Sequence, residues 1–126
     1  MESKKYEISI STVPRYLPAE SDPENDRYAF SYTIIIRNVG QNTAQLISRH
    51  WIITDGADRI QEVKGLGVVG RQPLLEPGEV FEYTSACVLP TPIGNMRGTY
   101  RMVTEEGTPF DLPIPEFMLA MPRMLH

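Results

Sequence analysis

Apolar and polar residues alternate along much of this chain with a period of two. Tyr6, Ile8 and Ile10 alternate with polar residues, and a longer alternating run occupies residues 28–37. Such alternation places successive side chains on opposite faces of a strand. Both segments are therefore predicted as strands. Within the second, Ile35 adds an apolar residue to the opposite face, which is typical of a central strand.

The same pattern, bounded by turn residues, recurs along the rest of the chain. Further strands are predicted at residues 44–54, 60–63, 80–87, 99–104 and 110–114. Loops or turns are predicted at residues 18–26, 38–42, 55–56, 77–78, 90–95 and 106–107. Pro113 and Pro115 lack an amide donor, so the last strand is predicted to be an edge strand or a broken one.

Seven or eight short strands with regular turn signals predict an all-β fold. Val, Ile and Thr supply 28 residues, whereas the helix formers Ala and Leu supply 15. The favoured architecture is an antiparallel sandwich of two sheets, and a closed barrel is the alternative, because alternation alone does not separate them. With 126 residues and no internal linker or repeat, residues 1–126 are predicted to form a single domain.

Charge and composition limit the possible partners. Twelve basic and 16 acidic residues give a net charge of −4, which argues against duplex nucleic acid as a partner. A single cysteine, Cys87, indicates no disulfide framework. The N-terminus lacks the apolar stretch of a signal peptide, and the longest aliphatic run, residues 34–36, is far too short to span a membrane. The chain is therefore predicted to be soluble and cytoplasmic.

The glycine pattern at residues 65–70 is the most suggestive motif. Gly65, Gly67 and Gly70 match G-x-G-x-x-G, which in dinucleotide-binding folds precedes a helix. Here prolines follow within seven residues and no alternation of strands and helices surrounds the motif, so a Rossmann site is not expected. Two interpretations remain: glycines that permit a bulge or sharp bend, and an anion-binding nest flanked by Lys64 and Arg71.

Catalytic and metal-binding patterns are nearly absent from the sequence. His50 and His126 are the only histidines, and a transition-metal site gathers three or four ligands. His50 is interpreted as a packed or half-exposed sheet residue and Cys87 as a small core residue. Ser85 and Cys87 share a face of one strand, with no histidine close in sequence to activate either. No catalytic residue, metal site or cofactor is therefore predicted.

Several blocks of the chain resemble the ApaG family, also called CorD. They cover nearly the whole chain, in the order and spacing of that family. The blocks are residues 28–32, 36–38, 46–51, 65–74, 77–85, 94–100 and 114–117. The resemblance implies a single ApaG domain with an immunoglobulin-like or fibronectin type III-like antiparallel sandwich.

The resemblance also implies a physiological setting. The bacterial family is associated by phenotype with cobalt resistance and magnesium efflux, and related domains in eukaryotic F-box and polymerase-interacting proteins suggest protein binding. We therefore expect a non-enzymatic binding or regulatory module with a protein partner, which an exposed sheet edge near the proline-rich C-terminal segment would accept as an added strand. The alternative is a sensor of phosphate, pyrophosphate or nucleotide at Lys64, Gly65, Gly67, Gly70 and Arg71. An enzyme acting on nucleotides ranks last.

Overall fold

The computed structural model describes residues 7–122, which form an antiparallel β-sandwich of eight strands. The strands are β1 Ile8–Tyr16, β2 Tyr28–Asn38, β3 Ala44–Asp55, β4 Ile60–Leu66, β5 Leu74–Leu75, β6 Val80–Leu89, β7 Ile93–Thr104 and β8 Pro109–Ala120. The all-β prediction is confirmed, and the barrel alternative is wrong because the strands divide into two sheets. Tyr6, predicted in the first strand, lies outside the described residues.

The first sheet has three strands in the order β1–β2–β6, so β2 is central, as Ile35 indicated. The second sheet has the order β4–β3–β7–β8, with the short β5 paired to the start of β3. β8 is an edge strand, and its register against β7 shifts beside Pro115. The prediction that prolines would place this segment at an edge or break it is confirmed.

The core lies between the facing sides of the two sheets. Its largest fully buried side chains are Trp51, Tyr100, Phe30, Ile34, Ile36, Leu46, Met96, Met102 and Leu119. The indole of Trp51 meets Tyr32, Tyr100 and Phe117 edge-on, with ring centroids 5.5–6.3 Å apart. Burying each large apolar side chain contributes roughly 1.5–3 kcal/mol, so this aromatic cluster holds the sheets together at their centre.

Two buried polar side chains fix the turns beside this core. The Asn38 amide group donates to the carbonyls of Asn42 and Leu75, each at 2.9 Å, and its Oδ1 accepts the Gly40 N–H. Asp55 accepts the backbone N–H groups of Ala57 and Arg59 and the Arg59 Nε–H. Each side chain satisfies turn amides that would otherwise be unpaired, which closes the turns predicted after β2 and β3.

Some predicted boundaries differ from the structure. The loop predicted over residues 90–95 ends at Pro92, because Ile93, Gly94 and Asn95 already pair with β8. The return strand predicted at residues 60–63 continues to Leu66. β5 was not predicted, since a two-residue strand carries no alternation. The acidic loop at residues 18–26 contains two short 3-10 turns.

Candidate binding cleft

The glycine-rich segment forms the end of β4 and a tight hairpin, with no helix after it. Val68 and Arg71 exchange two backbone hydrogen bonds of 2.8 and 2.9 Å across the two-residue turn Val69-Gly70. The φ angles of Val69 and Gly70 are 43° and 78°, and positive φ at both central residues is typical of a type I′ turn. The expectation that no Rossmann unit surrounds the motif agrees with this local structure.

Each of the three glycines has its own structural reason. A Cβ on Gly65 would lie 2.9 Å from Nη1 of Arg49, so glycine makes room for the guanidinium. Gly67 has a φ of +64°, and a Cβ there would lie 2.3 Å from the backbone oxygen of Arg71. Gly70 has positive φ with open space around it. The motif therefore combines one close approach with two left-handed backbone positions.

Most backbone amides of the hairpin already have acceptors. Gly67 donates to the Ile47 carbonyl at 2.7 Å, and Val68 and Arg71 donate to each other's carbonyls. Within residues 7–122, the amides of Val69 and Gly70 have no such bond. An anion nest at the turn itself would therefore use these two amides.

Lys64 lies on the outer face of the five-stranded sheet, where it lines a shallow groove of about 580 Å³ with His50, Thr99 and Arg101. Arg101 donates to Asp111 at 2.8 Å, and His50 Nε2 lies 3.7 Å from a Glu62 oxygen. The groove therefore carries charges of both signs. Arg71 is exposed and is not among the residues that line it. His50 is half-buried, which confirms its interpretation as a partly exposed sheet residue.

A second cavity runs between the sheets at the side where β4 and β6 are both edge strands. One chamber, about 280 Å³, lies over Tyr32, Trp51, Val63, Ser85 and Cys87. Adjoining chambers of about 150 and 220 Å³ extend it towards Val69 at one end and Pro90 at the other. We call this row of chambers the edge cleft.

Arg49 lies at the centre of the edge cleft and also lines the outer groove, and the sequence prediction missed it. Its Nη1 donates to the carbonyls of Leu66 and Gly67 at 3.1 and 2.9 Å. Within residues 7–122, no Asp or Glu oxygen lies within 4.0 Å of its guanidinium nitrogens. The guanidinium is therefore held in place by neutral carbonyls, with its charge uncompensated by a local carboxylate.

Three tyrosine hydroxyls lie within the electrostatic influence of Arg49. The hydroxyls of Tyr83 and Tyr100 are 2.5 Å apart, and Tyr32 lines the same chamber as Tyr83 and Ser85. Burial raises the pKa of Tyr83 to about 12 and raises those of Tyr32 and Tyr100, while the charge of Arg49 acts to lower all three. The phenols stay neutral near pH 7, so Tyr32 and Tyr83, which line the cleft, act there as hydrogen-bonding groups without charge.

Backbone groups of β6 point to the open side of the edge cleft. The Asn38 N–H donates to the Glu79 carbonyl, so these two residues form a hydrogen-bonded pair of the antiparallel ladder. Hydrogen-bonded pairs alternate along such a ladder, and every second pair from there, such as Ile34 with Tyr83, therefore joins β2 to β6. The intervening residues of β6 turn their N–H and C=O groups away from β2. These are Glu82, Thr84, Ala86 and Val88. Since β6 ends its sheet, these groups form a free strand edge.

Cys87 and His50 lie at different sites. Cys87 lies in the edge cleft and burial raises the pKa of its thiol to about 11, whereas His50 lines the groove on the outer face. A thiol with a raised pKa is a poor nucleophile at neutral pH. Among residues 7–122, no cluster of three or more His, Cys, Asp or Glu side chains is placed to hold a metal. In the same part of the chain, no helix is long and apolar enough to cross a membrane.

Comparison with known proteins gives consistent matches over nearly the full length. A family model described as the ApaG domain matches residues 18–104. Protein ApaG of Bordetella pertussis is 64% identical over 123 residues, which cover 98% of this chain and 94% of that protein. Protein ApaG of Dechloromonas aromatica is 61% identical over 125 residues, covering 99% and 98% of the two chains.

A solved structure agrees with this fold. The crystal structure described as an ApaA protein from Bordetella pertussis superposes with a TM-score of 0.93 at 64% identity. The match covers 96% of this chain and 98% of that one. At this level of identity and coverage, the sandwich with its two sheets is common to both proteins.

Proposed function

The chain belongs to the ApaG domain family, and from that premise we propose that it is a non-enzymatic binding or regulatory module that acts through a protein partner. One observation carries the proposal: β6 offers a free strand edge beside a cleft that enters the sandwich. A free edge is a template for an added strand, whose main-chain bonds supply affinity and whose alternate side chains fill pockets.

The arrangement of polar groups supports a binding role over catalysis. Cys87 has a raised pKa and does not share a face with His50. Tyr32 and Tyr83, which line the edge cleft, are neutral hydrogen-bonding groups, and Arg49 supplies charge without a base beside it. Such groups recognise a partner but do not move a proton at neutral pH.

The proposal includes a setting drawn from the family resemblance. The module would influence cobalt resistance and magnesium efflux indirectly, through its protein partner, and would work in the cytoplasm. Residues 1–126 would act as a single ApaG domain, since the described strands belong to one sandwich with one continuous core.

The proposal is tested by blocking the free edge. Ala86→Pro removes an amide that points away from β2, so the internal ladder is kept while an added strand loses a donor. Thr12→Pro is the matched control, because its amide also points away from β2 but lies on the opposite edge, in β1. Circular dichroism and thermal melting establish that both variants fold.

Partner capture by crosslinking in the native cell, quantified by mass spectrometry, is then compared between variants. We expect partners that are retained by wild type and Thr12→Pro and lost by Ala86→Pro. Identical sets from all three proteins would contradict binding through β6. Turnover of nucleoside or dinucleoside polyphosphates that copurifies with the chain and disappears in a point variant would contradict a non-enzymatic role.

The alternative function is a phosphate or nucleotide sensor around Lys64, Gly65, Gly67, Gly70 and Arg71. In its support, the amides of Val69 and Gly70 have no acceptor among the described residues, and both flanking cations are exposed. Calorimetric titration of ATP, diadenosine tetraphosphate and pyrophosphate into wild type and a Lys64→Gln/Arg71→Gln variant tests it. Micromolar binding that the variant loses, and that weakens with salt, would favour the sensor.

A further inference from the structure

Arg49 points to the chemistry of the occupant of the edge cleft. A guanidinium has five N–H donors, and only two bonds, both from Nη1, engage protein acceptors within the described part of the chain. Both acceptors are neutral carbonyls. Planar guanidinium groups bind carboxylates with two parallel hydrogen bonds, which are stronger than bonds between neutral groups. The edge cleft therefore has a positive centre that a carboxylate would complement.

The shape of the edge cleft favours an extended chain over a compact ligand. Its three chambers, of about 280, 220 and 150 Å³, form an elongated row and not one compact pocket. They follow one another along β6, whose inward residues Ser85, Cys87 and Leu89 line them in turn. Alternate side chains of a strand are spaced by about 7 Å, so one added strand can fill successive chambers.

The two ends of the row differ in chemistry. The end near Ser85 contains Arg49 and Tyr32. The end near Leu89 is lined by the apolar residues Ile53, Ile60, Val88, Leu89 and Pro90, together with Gln61 and the paired charges of Asp55 and Arg59. A residue paired opposite Ser85 would direct its side chain towards Arg49, and a residue four positions away, opposite Leu89, would enter the chamber at the other end. The edge cleft thus complements an acidic side chain and an apolar side chain four residues from it.

We propose that the occupant of the edge cleft is an extended segment of a partner protein that adds to β6 and places an Asp or Glu carboxylate on Arg49, with an apolar side chain four residues away. This inference rests on the proposed function and specifies the chemistry of its partner. It identifies Arg49 as the recognition residue and Gly65 as the residue that makes room for the guanidinium.

The test begins with a random 12-residue peptide library selected on the full-length protein. The best peptide is labelled with fluorescein, and its affinity is measured by fluorescence anisotropy. We expect selected peptides to contain Asp or Glu four residues from an apolar residue. Changing that acidic residue to Asn or Gln should weaken binding at least about tenfold, the scale of one charge-assisted pair.

Two variants of the protein remove the cation in different ways. Arg49→Gln deletes the charge, and Gly65→Ala keeps it but introduces a Cβ 2.9 Å from Nη1, which displaces the guanidinium. Both should lose at least about tenfold in affinity for the acidic peptide and little for its neutral counterpart. Arg97→Gln is the control, because it makes the same change in net charge at an exposed site on β7 and should bind normally. If Arg49→Gln does not fold, Gly65→Ala still tests the inference.

The outcomes separate this inference from the proposed function. Peptides that Ala86→Pro rejects but Arg49→Gln binds normally would overturn the carboxylate assignment and leave strand addition intact. Failure to select any peptide sensitive to Ala86→Pro would overturn both. Glutarate and inorganic phosphate serve as competitors: displacement of the peptide at equal molar concentration would overturn the inference in favour of a site for a free anion.

Discussion

Glycines of the hairpin and of β7 allow two sources of strain, a positive φ angle and steric overlap with the backbone, to be measured separately. Gly70→Ala introduces a Cβ at a φ of +78° with nothing within 4 Å, so it tests positive φ alone. Gly98→Ala has ordinary φ but places a Cβ 2.3 Å from the backbone oxygen of His50, so it tests the clash alone. Gly67→Ala combines a φ of +64° with a Cβ 2.3 Å from the Arg71 oxygen.

The expected free energies of unfolding follow from these distances. Left-handed backbone costs an alanine about 1–2 kcal/mol, partly offset because alanine restricts the unfolded chain, so Gly70→Ala should cost about 1 kcal/mol. Overlap with backbone requires strand movement at about 1–3 kcal/mol, which is the expectation for Gly98→Ala. Gly67→Ala should lose roughly the sum, about 2–4 kcal/mol.

Urea unfolding followed by tryptophan fluorescence measures all three losses, and thermal melting should fall by roughly 3–5 °C per kcal/mol. Gly78→Ala is an internal control, since its φ of +88° and open surroundings match those of Gly70. The reasoning is refuted if Gly67→Ala is no worse than Gly70→Ala, because the backbone contact would then carry no energy.

Four further predictions concern the hairpin and strand β6. Val69 is β-branched and exposed, and its φ of 43° is unfavourable for such a residue. Val69→Asn should therefore raise the free energy of unfolding by about 0.5–1 kcal/mol, and a decrease would contradict backbone strain at Val69. Tyr83→Phe leaves the buried Tyr100 hydroxyl without its partner and should cost about 1–3 kcal/mol, whereas Tyr83→Phe/Tyr100→Phe should cost less than the single change. Since the pKa of Tyr83 is raised to about 12, its contribution to stability should be complete below pH 10 and lost between pH 10 and 12, which unfolding curves across that range would test. Finally, hydrogen exchange should be fast at the amides of Thr84 and Ala86 and slow at those of Tyr83 and Ser85; uniform protection would mean that β6 is not a free edge.

Strand positions were predictable because alternation is a local property. The runs at β2 and β6 place Phe30, Ile34 and Tyr83 inward, as expected from a period of two. Which strands become neighbours is decided by contacts between residues far apart in sequence. The order β1–β2–β6, and with it the free edge of β6, therefore had no local signal.

Arg49 was missed for a specific structural reason. Leu46 and Trp51 are both fully buried although they are five residues apart, an odd spacing that a regular strand would not place on one face. A register shift between Leu46 and Ser48 changes the phase of β3. Beyond this bulge, Arg49 shares the inward face with Trp51. A prediction that assumes strict alternation along the whole strand places Arg49 on the outward face, and it therefore misses this residue.

The bulge in β3 and the glycine motif in β4 both position the guanidinium of Arg49. The bulge turns Arg49 inward, Gly65 opposite it in the ladder leaves space for the guanidinium, and the tight turn presents the Gly67 carbonyl as an acceptor. The motif therefore has a role in positioning a cation, independent of whether its own amides bind a phosphate. Gly65→Ala separates the two interpretations of the motif: because Gly65 has ordinary φ, the hairpin amides keep their geometry while the guanidinium moves. Retained anion binding in that variant would assign the ligand to the amides of Val69 and Gly70, and loss of peptide binding would assign the motif to Arg49.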